Sequence, residues 1–139
     1  GLTGLIELHL GGNSLTGAVP AAVERLHQLT LLGMEANSLT GTIPAALGRL
    51  QQLQQLALGS NAISGTVPQE LVALKRLTLL DLFSTPLTGR LPAFNFSQYT
   101  QCCALNGDNF TCPLPPGASA CVGGPGCSPS KFPPPTCKW

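Results

Sequence analysis

Charge is what this sequence has least of. Asp, Glu, Lys and Arg make up 9% of its 139 residues, against roughly 25% in an average globular protein. The formal net charge is +1. Nucleic acids and anionic membrane surfaces are held by clustered basic side chains, and no such cluster exists, so both are excluded as partners. No apolar run approaches the roughly 20 residues that cross a bilayer, so this stretch holds no membrane span. A basic-then-apolar leader is missing as well. Cysteine is absent from the first 101 residues, and aromatic residues are 5% of the whole. A surface so poor in charge needs glycans, or packing into an assembly, to stay in solution.

What is present is repetition, which bounds the fold before anything else does. Asn13, Asn37 and Asn61 stand 24 residues apart, and Thr85 takes the fourth place. Gly17, Gly41, Gly65 and Gly89 keep the same spacing, as do Pro20, Pro44, Pro68 and Pro92. Apolar residues recur in phase: Leu5, Leu29, Leu53 and Leu77; Leu8, Leu32, Leu56 and Leu80; Leu10, Met34, Leu58 and Leu82. The unit reads L-x-x-L-x-L-x-x-N-x-L-x-G-x-[IVL]-P-x-x-[LV]-x-x-L.

Each part of the unit has a physical role. The L-x-L step puts two leucines on one face of a short strand, pointing inward. Stacked copies then form a parallel sheet. The asparagine amide can both donate to and accept from backbone groups that the following bend would bury unpaired, and a column of them makes a ladder: Asn13, Asn37, Asn61. Glycine allows the next turn, and proline sets φ where the chain enters the far side. There Val23, Leu26 and their counterparts plug the core from short helical or 3₁₀ segments. The expected fold is therefore an α/β solenoid. A single such unit buries too little to stand alone, so Leu2, Leu5 and Leu8 at the open first repeat call for cover by preceding repeats or another chain. The chain opens inside a repeat, which is the expectation for a piece of a longer protein.

The L-x-x-N-x-[LI]-[TS]-G-x-[IVL]-P signature resembles the plant-type leucine-rich repeats of receptor ectodomains and of polygalacturonase-inhibiting proteins. It is similar also to repeats of surface antigens in trypanosomatids and other protists. The resemblance covers residues 1–92. It implies a curved solenoid with a concave parallel sheet, short 3₁₀ or helical convex segments and a second short sheet from the x-G-x-[IVL]-P stretch. Inhibition of a cell-wall hydrolase, known among such relatives, enters by analogy alone.

Setting Pro115 against Pro92 continues the pattern for one degenerate repeat. Cys103 then stands for Leu80, Leu105 for Leu82, Asp108 for Thr85, Phe110 for Leu87 and Cys112 for Gly89. The organisation is four 24-residue repeats over 1–100, a fifth repeat serving as cap over 101–115, and a Pro/Gly/Cys-rich tail over 116–139. A terminal repeat exposes its last core face and needs a lid. Cys102, Cys103, Cys112, Cys121, Cys127 and Cys137 can supply one as three disulfides in an oxidising compartment. Zinc is disfavoured, because no C-x-x-C pair exists and no histidine follows Cys102. Neighbouring Cys102 and Cys103 are not expected to pair with each other. The run C-C-A-L-N-G-D-N-F-T-C-P-L-P resembles the C-terminal caps of protist surface repeat proteins and differs from the usual plant cap. Eight prolines in the 27 residues after Cys112 read as extended, partly polyproline II chain, a spacer or an assembly arm.

Chemistry is sparse. Phosphate loop, dinucleotide fingerprint and metal motif are all missing. Glu7, Glu24, Glu35, Glu70, Asp81 and Asp108 offer no glycosidase pair. His9 belongs to the concave sheet and His27 to the convex side, so no triad forms around them. The expectation is no catalysis and no cofactor. Two sequons, Asn95-Phe96-Ser97 and Asn109-Phe110-Thr111, mark sites for N-linked glycans in an extracellular or cell-surface protein. The variable strand positions Glu7, His9, Leu31, Glu35, Gln55, Leu79, Asp81 and Phe83 should line the concave face, with small neighbours such as Gly11, Gly33 and Gly59 between them. A continuous, little-charged strip of that kind suits a protein or glycan partner. The alternative is a structural glycoprotein subunit of an extracellular coat or filament, whose partners would be copies of itself.

Overall fold

The computed structural model describes residues 3–99, 102–105, 109–111 and 115–117. Leu2, Cys112, Cys121, Cys127, Cys137, Asp108 and the tail from 118 onward lie outside these residues, and with them the disulfide lid and most of the run that resembles protist caps. For Cys102, Cys103 and Asn109 the backbone alone is described.

Each L-x-L step forms a three-residue strand. Strands β1 (Glu7–His9), β3 (Leu31–Gly33), β5 (Gln55–Ala57), β6 (Leu79–Asp81) and β8 (Cys102–Ala104) make one parallel sheet in that order. The register holds the repeat: Leu8 pairs with Leu32, Leu32 with Leu56, Leu56 with Leu80, and Leu80 with Cys103. The degenerate repeat is thus the fifth strand of the same sheet.

Past the asparagine the chain turns a corner into a second set of strands. β2 (Thr16–Ala18) pairs with β4 (Ser38–Thr40), and β7 (Thr88–Gly89) with β9 (Asn109–Phe110); single bridges join Thr42 to Ser64 and Gly65 to Leu87. Alignment by repeat would set glycine beside glycine. The structure instead pairs Gly17 with Leu39, Gly65 with Leu87 and Gly89 with Phe110. Each flank strand therefore meets its neighbour two residues out of step, because it runs obliquely across the stack. In that stagger Phe110 occupies the place of Leu39 and Leu87, and it is fully buried.

Among the described residues the far side is four 3₁₀ turns, Ala21–Arg25, Ala45–Arg49, Gln69–Ala73 and Phe96–Gln98. Pro20, Pro44 and Pro68 precede the first three with φ of −71°, −67° and −63°, the ring fixing the approach without sacrificing a needed N–H. The turns point Val23, Leu47 and Leu71 inward. Between these turns and the sheet lies one continuous core, including Leu29, Leu32, Leu53, Leu56, Leu58, Leu77, Leu80 and Leu82, all without solvent exposure. Phe94, Phe96 and Tyr99 carry the core into the last repeat, with ring centroids 5.8–6.1 Å apart. At the opposite end burial fails: Leu5, Leu8 and Leu10 are only partly covered, and Ile6 is 55% exposed.

Candidate functional site

Parallel register arranges the outward side chains of the main sheet in columns. Glu7, Leu31, Gln55 and Leu79 share one, and His9, Gly33, Ala57 and Asp81 the next. A third column, Gly11, Glu35, Gly59 and Phe83, lies beyond the strand ends. It is kept in step by bonds from Gly12 N–H to Glu35 O, Ala36 N–H to Gly59 O and Ser60 N–H to Phe83 O, at 2.6–2.9 Å. Gly12, Ala36, Ser60 and Ser84 all hold positive φ, between 52° and 68°. That conformation turns the chain off the sheet toward the asparagine and costs strain at a non-glycine residue.

The asparagines then tie repeat to repeat. Asn61 Nδ2 donates to Met34 O at 2.9 Å in the preceding repeat, and to Leu58 O and Gly59 O in its own; its Oδ1 accepts from Leu39 N–H at 3.0 Å. Asn37 bonds Leu10 O and Leu15 N–H in the same way. Asn13 is exposed and reaches only Leu10 O and Gly11 O of its own repeat. Thr85 takes the fourth place in the column, buried, with Oγ1 donating to Leu82 O at 2.8 Å.

The eight residues expected to line the concave face do share it, but unevenly. Glu7 and His9 are exposed and pair with each other at 3.0 Å, an interaction that water weakens. Leu31, Glu35, Gln55, Leu79, Asp81 and Phe83 are half-buried. Two carboxylates lie flat on the sheet. That of Glu35 covers Gly11 and Gly33, and that of Asp81 covers Gly59, where a Cβ would stand 2.6 Å from Asp81 Oδ1. These glycines are not merely small surface positions: Gly33 and Gly59 are buried beneath the acids, and a Cβ at Gly11 or Gly59 would push the carboxylate above it aside. Asp81 Oδ1 accepts from Phe83 N–H at 2.9 Å. Glu35 Oε2 is buried with no hydrogen-bond partner among the described residues. Burial raises the carboxyl of Asp81 above the usual carboxylate range, the Phe83 N–H works against that, and the charge of Glu35 adds to the rise.

The period places Glu35 and Asp81 two repeats apart and does not show where their carboxylates lie. The missed signal was a glycine at 11, 33 and 59, each one a vacated side-chain position beneath a carboxylate. Among the described residues no cluster of His, Cys, Asp and Glu could hold a metal, and no helix is long and apolar enough to cross a membrane. Asn95 is exposed at the start of the last 3₁₀ turn, and Ser97 Oγ donates to its Oδ1 at 2.7 Å. His27 lies outside the sheet, after the first turn on the convex side.

Residues 32–87 match a leucine-rich-repeat family, and residues 4–26 match a second description of the leucine-rich repeat. Together they cover more than half of the chain. No curated protein matches. Among solved structures, the leucine-rich-repeat ectodomain of the membrane receptor kinase GASSHO1/SCHENGEN3 from Arabidopsis thaliana, in complex with CASPARIAN STRIP INTEGRITY FACTOR 2, is 34% identical. Its TM-score is 0.75, over 84% of this chain and 14% of that one. The plant peptide hormone receptor RGFR1 in complex with RGF2 is also 34% identical, with a TM-score of 0.76 over 81% of this chain and 18% of the receptor. A plant ice-binding protein is 26% identical with a TM-score of 0.75, over 85% of this chain and 39% of its own. The chain thus spans a small part of the length of the receptors it resembles.

Proposed function

The chain belongs to the plant-type leucine-rich-repeat proteins, and on that premise we propose that it is a non-enzymatic extracellular module that recognises a protein or peptide on its concave face. The observation that carries this reading is the strip itself: Leu31, Leu79 and Phe83 stand half-open beside Glu35 and Asp81, carboxylates whose charge no described Lys or Arg on the same face offsets. Apolar contacts flanked by under-solvated polar groups are what a binding surface offers a partner. The similar plant receptors, one an ectodomain in complex with CASPARIAN STRIP INTEGRITY FACTOR 2 and one a peptide hormone receptor in complex with RGF2, support the same use of the fold and an extracellular setting. Asn95 fits as a glycan acceptor, since it is exposed and lies on the convex crossing, where a glycan would leave the concave face open. Loss of a glycosidase-sensitive mass in Asn95→Gln, made in a secreting eukaryotic host, checks that part.

The test of the main reading is selection of peptides from a random display library against the folded chain. Binding of the selected peptides should fall at least tenfold in Phe83→Ala and in Glu35→Gln/Asp81→Asn, with melting temperatures confirming that each variant is folded. Peptides that bind all variants as they bind the wild type would show that the concave strip is not the site.

A second reading, the coat or filament subunit, rests on Ile6, 55% exposed at the edge of β1 beside partly covered Leu5 and Leu8. It requires self-association that Ile6→Lys abolishes in sedimentation velocity. A chain that stays monomeric at high concentration ends it.

A further inference from the structure

The flank carries a second organised surface, separate from the concave strip. After each turn glycine, the chain places one outward side chain at the same point of each repeat, a series that runs obliquely across the flank: Ala18, Thr42, Thr66 and Arg90, all exposed. Two of these are held from below. A Cβ at Gly65 would stand 3.0 Å from the Thr42 methyl, and one at Gly89 would stand 2.8 Å from the Thr66 methyl. Each threonine methyl therefore fills the space its neighbouring glycine leaves empty. Threonine has few χ1 choices, so seating the methyl also fixes where the hydroxyl points.

Two residues earlier in the repeat the hydroxyls are turned back onto the backbone: Ser64 Oγ donates to Gly41 O at 3.3 Å, and Thr88 Oγ1 to Gly65 O at 3.4 Å. Thr42 and Thr66 make no such bond among the described residues. Arg90 continues their row. Arg49 is held by Glu24 and Arg76 by Gln52, whereas no described carboxylate comes within ion-pair distance of Arg90. These groups open on a groove of about 680 Å³, whose walls include Thr42, Thr66, Gln69, Glu70, Arg90 and Pro92.

The groove's chemistry narrows its occupant. Strands about 4.8 Å apart and two residues out of step put roughly 8 Å between the backbone positions of the fixed hydroxyls, so the ligand should present hydrogen-bonding groups again and again along its length. Gln69 and Glu70 accept hydroxyl donors, while half-buried Pro68 offers apolar surface to the C–H face of a ring. The unpaired guanidinium asks for an anion, which it can bind in bidentate fashion. We propose that this flank groove binds an acidic saccharide, a chain of sugar rings bearing carboxylate or sulfate groups, with Arg90 on the anion and Thr42 and Thr66 on ring hydroxyls.

The test is calorimetric titration of the full chain with three probes: an oligogalacturonate, a sulfated heparin-type oligosaccharide and neutral maltoheptaose. One acidic probe should bind at least tenfold more tightly than the neutral one, and which one does so tells carboxylate from sulfate. Arg90→Gln should weaken that binding at least fivefold and reduce its salt dependence. Thr66→Val keeps the seated methyl and removes only the hydroxyl, so it should fold normally and lose about two- to tenfold, the worth of one hydrogen bond. Phe83→Ala, on the concave face, should leave saccharide binding unchanged. The proposal is overturned if neither acidic probe binds at millimolar concentration, if maltoheptaose binds equally well, or if the binding is indifferent to Arg90→Gln. Loss in Phe83→Ala would equally overturn it, by moving the saccharide to the concave strip.

Discussion

Asp81 shows how one residue's chemistry is set by residues the chain places far from it. It sits over Gly59, bonded to Phe83 N–H and facing the charge of Glu35. Desolvation dominates, so the folded protein holds the Asp81 proton more tightly than the unfolded chain does, whose ordinary value is 3.8. A raised folded value means that the associated stability is fully present below pH ~4 and is lost as pH rises through the folded value. Asp81→Asn keeps an oxygen for the Phe83 N–H and removes the ionisation. The melting temperature of the variant relative to wild type should therefore be higher at pH 7 than at pH 3. An equal difference at both pH values would mean that Asp81 ionises in the folded protein as it does in the unfolded chain. The positions of Asp81 and Glu35 on the outward face could be read from the period, but the way their carboxylates lie could not. Counting along the chain sets them two repeats apart, and only the structure shows each carboxylate lying over a glycine of the preceding repeat.

At the scale of elements, the convex turns pack more tightly than their sequence advertises. Ala45–Arg49 and Gln69–Ala73 meet at Gly48, where a Cβ would stand 2.5 Å from the carbonyl oxygen of Glu70. That oxygen belongs to the backbone and cannot swing aside. Gly48→Ala should then separate the two turns and cost about 1–3 kcal/mol in urea denaturation, the range for overfilling a packed site. Gly4→Ala, with nothing within 4 Å of its Cβ, serves as the control and should be close to neutral. A loss no larger at Gly48 than at Gly4 would mean the turns can part freely. Gly48 falls outside the repeating glycine column, so the 24-residue pattern gave no hint of its role. The strands, by contrast, were legible in the L-x-L step, whose period of two matches a half-buried strand and nothing else in the unit.

Across the whole molecule, stability should depend on position along the stack, because each repeat is held by its neighbours. The asparagine column measures this directly. Asn61 is buried and joins two repeats through Met34 O and Leu39 N–H, whereas Asn13 is exposed and bonds only its own turn. Removing Asn61 leaves a donor and an acceptor buried without partners, and Asn61→Ala should cost about 3 kcal/mol. Asn13→Ala should cost under about 1 kcal/mol. Equal losses in equilibrium denaturation would contradict the idea that the ladder works between repeats.

The sequence by itself determined the solenoid, because period, inward leucines, turn glycines and entry prolines all constrain the same backbone path and leave no competing fold. It also pointed to a degenerate fifth repeat, since Cys103 and Phe110 keep the mutual spacing of the residues they replace. Tertiary structure alone decided how repeats meet sideways: the two-residue stagger of the flank strands, the carboxylates laid over Gly11, Gly33 and Gly59, and the threonine methyls seated on Gly65 and Gly89. The physical reason is the same in each case. A period reports what one repeat must contain to bury its own core, whereas a surface is made by side chains of one repeat occupying space vacated in the next, and that depends on the offset between them.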